Sequence, residues 1–346
     1  HGQRGWAGPI AHINDMENWQ TQLIVSNKTI DYQNWRVGVV LDAANGEGRI
    51  GFSDGDIAAL TNVPDRAKVG DFLAAAPVSA GTYAVRTVPE VSGGMVMEQP
   101  YSGRLLALQG GFDSGLGSFN RAVQAERQPG STIKPFVYAT GLDNGMTPAT
   151  QVLDGTFCVY QGGSLGQKCF RNFGNEGGAG SRTMRWGLEQ SRNLMTVRIA
   201  NDIGMSKVVK TFKTMGIGEY KPYLSFALGA GETTVARMAN AYSALANNGV
   251  QYDASVIDYV QDRSGKVIWK ADKRNCDGCN MAEWDGKPMP RIARRGKQVM
   301  NADTAYQTIH MLEGVVTRGT AVRLRSLNLP LFGKTGTTNG PTDVWF

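Results

Sequence analysis

The sequence predicts a mixed α/β or α+β domain preceded by a small all-β barrel-like domain. Three observations support it. The chain has 346 residues, enough for two domains. Short strand-like runs separated by Gly, Asp and Asn clusters fill residues 35–88. From Ser131 onward helical periodicity takes over, and strand-like runs return at the end, a strand–helix–strand succession that marks a mixed domain. Hydrophobic residues make up 41% and charged residues 19%, so a large core is available and wholesale disorder is excluded. The 44 glycines, about twice the usual share, point to many tight turns without a collagen-like repeat.

Residues 1–30 alternate Trp, Gly and polar residues without clear periodicity and are read as a linker or the edge of a further domain. The chain begins with His1 and carries no signal-like leader, so it is read as a fragment of a longer protein. No apolar run reaches the ~18–20 residues of a membrane helix. Residues 31–90 form the barrel-like domain, since several short strands at this spacing favour a small barrel, an oligonucleotide- or oligosaccharide-binding type among them.

Residues 91–346 form the larger domain. Runs 94–99 and 104–109 flank a Pro-Tyr-Ser-Gly turn and read as a hairpin. A helix follows from Ser131 to an Asn-Gly stop. Two helices, 183–191 and 193–203, meet at a break near Ser191. An amphipathic helix over 233–246 is closed by Asn247-Asn248-Gly249. Runs 256–261 and 266–269 form another hairpin. A helix over 303–316 starts at Asn301 and Asp303, and strand-like runs 331–337 and 344–346 end the chain.

Net charge is +6, a solubility feature rather than a nucleic-acid signature; the densest basic run, 291–297, lacks interleaved aromatics. The four cysteines fall into two local pairs, Cys158 with Cys169 and Cys276 with Cys279. Two disulfides in an oxidising compartment explain this pattern, and a four-thiolate zinc site is the competitor. The three histidines, His1, His12 and His310, lie in the irregular entry segment or midway along a helix, which makes a Ser-His-Asp triad a poor fit.

A serine activated by lysine is the economical alternative. Ser131 is the only serine followed three residues later by lysine, Lys134, and helical spacing places the two on one face. A serine at a helix N-terminus has a favourable dipole and a free backbone N–H for an oxyanion. Lys134 acts as a base only if burial or a neighbouring cation lowers its pKa. The bland reading is an ordinary helix start. Lys334-Thr335-Gly336-Thr337 offers a cation and two hydroxyls for a carboxylate, or an edge strand guarded by lysine. Ser191-Arg192-Asn193 sits at the helix break, although Ser118-Phe119-Asn120 and Ser326-Leu327-Asn328 share its pattern. Arg192 reads as a solvent-facing or ion-paired residue.

The order Ser131-x-x-Lys134, Ser191-x-Asn193, Lys334-Thr335-Gly336 is that of penicillin-binding proteins and serine β-lactamases. With the stretches RQPGSTIKPFVYATGLDNG, GLEQSRNLMTVRIA, LGAGETTVARMANAYSALANNG and FGKTGTTN, the chain resembles the transpeptidase region of class A, bifunctional penicillin-binding proteins. The Cys276-Asp-Gly-Cys279 loop is similar to a feature of some members, and residues 35–88 to a small barrel-like insert.

The resemblance implies an α+β fold, a penicillin-binding-protein/serine β-lactamase-like antiparallel sheet with flanking helices truncated at the C-terminus, and a D,D-transpeptidase that cross-links peptidoglycan stem peptides through their D-alanyl-D-alanine ends. It implies Ser131 as nucleophile, Lys134 as base, Asn193 as holder of Lys134 and substrate, Ser191 as proton relay tuned by Lys334, and Thr335 and Thr337 as carboxylate ligands beside Gly336. Backbone N–H groups of Ser131 and Thr337 form the implied oxyanion hole. No metal or organic cofactor is implied. The implied partners are stem peptides, β-lactams and cell-wall regulators docking on the barrel. The implied location is the periplasmic side of the bacterial inner membrane, with the anchor and the glycosyltransferase domain outside this fragment. Rival readings are a serine β-lactamase, for which Glu189 is the nearest water-activating carboxylate, a D,D-carboxypeptidase, and a non-catalytic β-lactam-sensing module.

Overall fold

The computed structural model describes residues 5–160, 166–272, 281–288, 296–338 and 343–346. They divide into two compact units, His1–Met95 with Gln109–Gln124, and Val96–Leu108 with Ala125–Phe346.

The first unit is a small barrel. Its elements are β1 (Ala11–His12), α1 (Trp19–Ser26), β2 (Arg36–Ala44), β3 (Glu47–Phe52), β4 (Ile57–Thr61), β5 (Asp71–Ser79) and β6 (Thr82–Arg86). The strand order is β1-β5-β2-β3-β4-β6, and an added β5–β6 pairing closes β2 to β6 into a five-stranded ring. All pairings are antiparallel except β4 with β6. The β2–β3 turn is Asn45-Gly46, both at positive φ, the geometry that matches the twist of a two-residue hairpin. Val40, Ile50, Phe52, Leu60, Leu73 and Val85 fill the interior.

Parts of the entry segment pair with and cover the barrel. Ala11 and His12 pair with Phe72 and Asp71 of β5, and His12 Nδ1 lies 2.7 Å from Asp71 Oδ1. Leu23 of α1 joins Val37, Val39 and Phe72 in a second cluster on the outside of the barrel. Those side chains point away from the interior and need a cover, which the entry segment supplies. Its elements are too short for a visible period. The same unit takes in residues 109–124, where Phe112 meets the rings of Tyr32 and Trp35 at 5.1 and 5.8 Å.

The second unit is helical at its centre. It contains β7 (Met95–Glu98), β8 (Leu105–Gln109), α2 (Lys134–Asp143), β9 (Gln151–Asp154), β10 (Phe157–Tyr160), β11 (Gln167–Phe170), β12 (Gly180–Thr183), α3 (Met184–Glu189), α4 (Asn193–Ile203), α5 (Met205–Thr214), α6 (Val235–Ala246), β13 (Val250–Gln251), β14 (Tyr259–Gln261), β15 (Val267–Lys270), β16 (Lys297–Gln298), α7 (Ala302–Arg318), β17 (Gly336–Thr337) and β18 (Val344–Trp345). Helix α2 is buried from Lys134 to Gly141 and packs against α3, α4, α5 and α7. A helix enclosed on all sides needs apolar residues all round, and Phe136, Val137 and Ala139 join Met184, Met195, Phe212 and Leu312 in one core.

Both expected hairpins form, as do the helix break at Ser191 and the helix over 303–316. The sequence reading missed α5, although buried Met205, Val208 and Phe212 recur at helical spacing opposite its three lysines. The sheet expected in this unit takes the form of separate two-stranded pairs among the described residues. Cys158 and Cys169 are disulfide-bonded across β10 and β11; bonded sulfurs are not thiolates, so the four-thiolate zinc alternative falls. Cys276 and Cys279 lie outside the described residues.

Candidate active site

Three distant stretches of chain converge at the N-terminal end of α2. A 3₁₀ turn, Gly130–Ile133, leads into the helix, and the Lys134 backbone N–H donates to Ser131 O. Pro135 falls in the first helical turn, where its missing N–H costs no helical bond. Gly130 has φ 53°, and a Cβ there would lie 2.6 Å from Thr337 O. A Cβ on Gly336 would lie 2.5 Å from Pro129 O, and one on Gly229 would strike Gly130 O. Glycine at these positions lets the Ser131 turn, β17 and the 229 loop pack backbone against backbone.

Lys134 is fully buried, and its ammonium has three acceptors. Nζ donates to Ser191 O at 2.6 Å, Asn193 Oδ1 at 2.7 Å and Ser191 Oγ at 3.3 Å. Burial holds its pKa well below the ordinary lysine value, and the cations of Lys334 and Arg192 push it further down. Ser191 bridges α3 and α4 with φ 56°, an uncommon conformation for a residue with a side chain. That left-handed turn aims both its carbonyl and its hydroxyl at Lys134.

Lys334 comes from the other side. It is 1% exposed; Nζ donates to Ser191 Oγ at 2.8 Å and to Thr335 O at 2.9 Å. Burial lowers its pKa to about 7. The Ser191 hydroxyl thus lies between two buried amines, and a hydroxyl can accept from one while donating to an uncharged other.

A cavity of about 770 Å³ opens over this cluster, lined by Ser131, Ser191, Asn193, Thr335 and Thr337. Ser131 takes part in none of the side-chain hydrogen bonds above; it faces the cavity one turn ahead of Lys134. Thr335 Oγ1 lies 2.8 Å from Thr320 Oγ1. Gly336 pairs with Trp345 and Thr337 with Val344. Alternation along the strand buries Lys334 and Gly336 and leaves Thr335 and Thr337 toward the cavity, as the period of two predicts.

Sequence reasoning missed several residues here. Thr320, Glu176 and Asn172 line the cavity, and Asp154 lies buried behind it. Arg192 is ion-paired, with Nε 2.8 Å from Asp154 Oδ2 and Nη1 2.5 Å from Glu176 Oε2, rather than solvent-facing. Glu189, the hydrolase candidate, is corrected: it is buried and doubly bound to Arg318 at 2.9 and 2.5 Å, tying α3 to α7.

A family model described as the penicillin binding protein transpeptidase domain matches residues 93–343. The chain belongs to the penicillin-binding protein transpeptidase family. This transpeptidase chain is 36% identical over 361 aligned positions to penicillin-binding protein 1A of Rickettsia prowazekii, covering 99% of this chain and 45% of that protein. It is 35% identical over 272 positions to penicillin-binding protein 1A of Neisseria gonorrhoeae, covering 78% of this chain and 32% of that protein. It therefore spans less than half the length of these curated relatives. The expected resemblance to the class A transpeptidase region is borne out.

Solved structures share the transpeptidase fold. The crystal structure of penicillin-binding protein 1A from Haemophilus influenzae aligns with TM-score 0.76 at 22% identity, over 97% of this chain and 55% of that one. The D,D-transpeptidase domain of a peptidoglycan glycosyltransferase from Eggerthella lenta aligns with TM-score 0.59 at 18% identity, over 90% and 89%.

Proposed function

We propose that this transpeptidase chain cross-links peptidoglycan stem peptides through an acyl-enzyme on Ser131. The observation that supports it is a dehydrated lysine, Lys134, one helical turn from a serine at the cavity floor. An uncharged Lys134 takes the Ser131 proton as Oγ bonds to the penultimate D-alanine carbonyl carbon. Backbone N–H groups of Ser131 and Thr337 stabilise the oxyanion. The peptide C–N bond then breaks, and the departing D-alanine amine receives the proton from Lys134 through Ser191, with Lys334 tuning the relay. An amine of a second stem peptide attacks the ester, gives up its proton to the same relay and releases Ser131 as the hydroxyl. Thr335 and Thr337 receive the terminal carboxylate, and the peptide lies along residues 334–337 as an added strand. Asn193 holds both Lys134 and the substrate amide. β-Lactams carry an equivalent carbonyl and carboxylate and acylate the same serine. The chain works on the periplasmic side of the inner membrane.

Intact-mass spectrometry after incubation with a penicillin tests the reading. The wild-type chain gains one penicilloyl mass that persists for many minutes, and Ser131→Ala gains none. Absence of a wild-type adduct refutes the acyl-enzyme; release within seconds refutes transpeptidation in favour of hydrolysis.

A further inference from the structure

The mechanism above uses Ser191 and Asn193 but leaves open what fixes them. Both lie in or beside a turn held in an uncommon backbone conformation, and Lys134 is aligned only while the Ser191 carbonyl and Asn193 Oδ1 stay within hydrogen-bond reach. The residues on either side of Asn193 supply an answer. Arg192 donates Nε to Asp154 Oδ2 at 2.8 Å. The Leu194 backbone N–H donates to Asn172 Oδ1 at 3.2 Å, and Asn172 Nδ2 donates to Asp154 Oδ1 at 3.0 Å. Both flanks of Asn193 therefore end on the two oxygens of one carboxylate.

That carboxylate has no exposed side-chain surface. It sits at the last residue of β9, a strand paired along its length with β12, and it also accepts the Ala179 N–H at 2.9 Å. Asp154 is thus a fixed point outside the cavity, 38 residues before Arg192. The other groups around Arg192 are peripheral by comparison. Glu176 is 67% exposed at its side chain, and Gly177 O accepts from Nη2 at 2.6 Å on the same loop. A fully buried carboxylate is retained only when its oxygens are occupied by donors, and here two of the three donors, Arg192 and Asn172, lead to the site.

We propose that Asp154 is the positioning residue of this site, gripping Arg192 directly and Leu194 through Asn172 so that Ser191 O and Asn193 Oδ1 are presented to the Lys134 amine. The inference rests on the reading of Lys134 as the base for Ser131. Asp154 touches no ligand and exchanges no proton. It sets the geometry in which Lys134 works, and misplacement on the scale of an ångström is enough to slow such a step by about 10²-fold.

The test is penicillin acylation of the whole chain, resolved into a noncovalent Kd and a first-order acylation rate, with active-site titration of the fraction that reacts. Asp154→Asn keeps the shape and removes the charge. The expected result is an acylation rate lowered about tenfold or more, a Kd changed by less than about threefold, and a reacting fraction still near one per chain. Asn172→Ala cuts the second arm without altering charge and lowers the same rate; the double variant falls short of the product of the two single effects, because both act through one carboxylate. Should Asp154→Asn fail to fold, Asn172→Ala alone decides. A reacting fraction that falls while the rate per reacting molecule stays at the wild-type value overturns the inference and leaves Asp154 as fold support. A wild-type chain that forms no Ser131 adduct overturns the reading beneath it as well.

Discussion

Lys134 and Lys334 meet the Ser191 hydroxyl from positions 200 residues apart in the chain, and their burial gives the protein a defined pH response. Lys334 has its pKa lowered from an ordinary 10.5 to about 7. Between those values the unfolded chain binds a proton that the native state does not, so stability rises with pH across that window; below pH 7 the cost of the buried charge is fully present. The denaturation midpoint of the wild type therefore climbs from pH 7 to pH 10 more steeply than that of Lys334→Gln, and parallel slopes would contradict the assignment. Asn193→Ala removes a 2.7 Å acceptor from Lys134. It is expected to slow penicillin acylation by about 10²-fold, within the range of general-base contributions, as measured by adduct formation over time. Ser131, Lys134, Ser191, Asn193 and Lys334 were legible in the sequence as candidates because their types and order match the family's motifs. Asp154 and Asn172 were not: a carboxylate's partners 18 and 38 residues away follow from tertiary packing, and neither residue forms a local pattern.

At the scale of elements, the site depends on close backbone approach. Helix α2 and its leading turn, strand β17 and the 229 loop interlock through Gly130, Gly229 and Gly336. Gly336→Ala places a methyl 2.5 Å from Pro129 O and 2.9 Å from Thr132 Cγ2. It is expected to lower stability by about 1–3 kcal/mol, as overpacking does, and to slow acylation. Gly117→Ala, with open space around it, changes neither in the same thermal-melt and adduct assays. Helices with a clear apolar period or a terminal signal, such as α6 and α7, were readable in advance. Two elements went unread. In α5 the period was present, with lysines at 207, 210 and 213 on the face opposite buried Met205, Val208 and Phe212. β1 has two residues, too few to alternate, and is specified by β5 rather than by itself.

For the whole molecule, each of the two units has its own buried core, one centred on Leu73 and Phe52 and the other on α2. Leu73→Ala opens a cavity in the barrel and is expected to cost about 2–5 kcal/mol, lowering the barrel's thermal transition while penicillin still acylates Ser131 below it. Loss of acylation at temperatures where the barrel remains folded would contradict this. The change from a strand-rich to a helix-rich unit was visible in the change from strand-like to helical runs. That residues 109–124 join the barrel unit, through contacts such as Gly115 O with the Thr29 N–H at 3.4 Å, was not, because no run of sequence announces it.

The interlocked glycines also limit where this enzyme can change. A side chain added at Gly130, Gly229 or Gly336 meets main-chain atoms that cannot swing aside, so substitution along that wall is costly. Other parts of the cavity are lined by exposed side chains, Arg171, Phe173 and Glu176 among them. Substitution is expected to be tolerated more readily there than at the glycines.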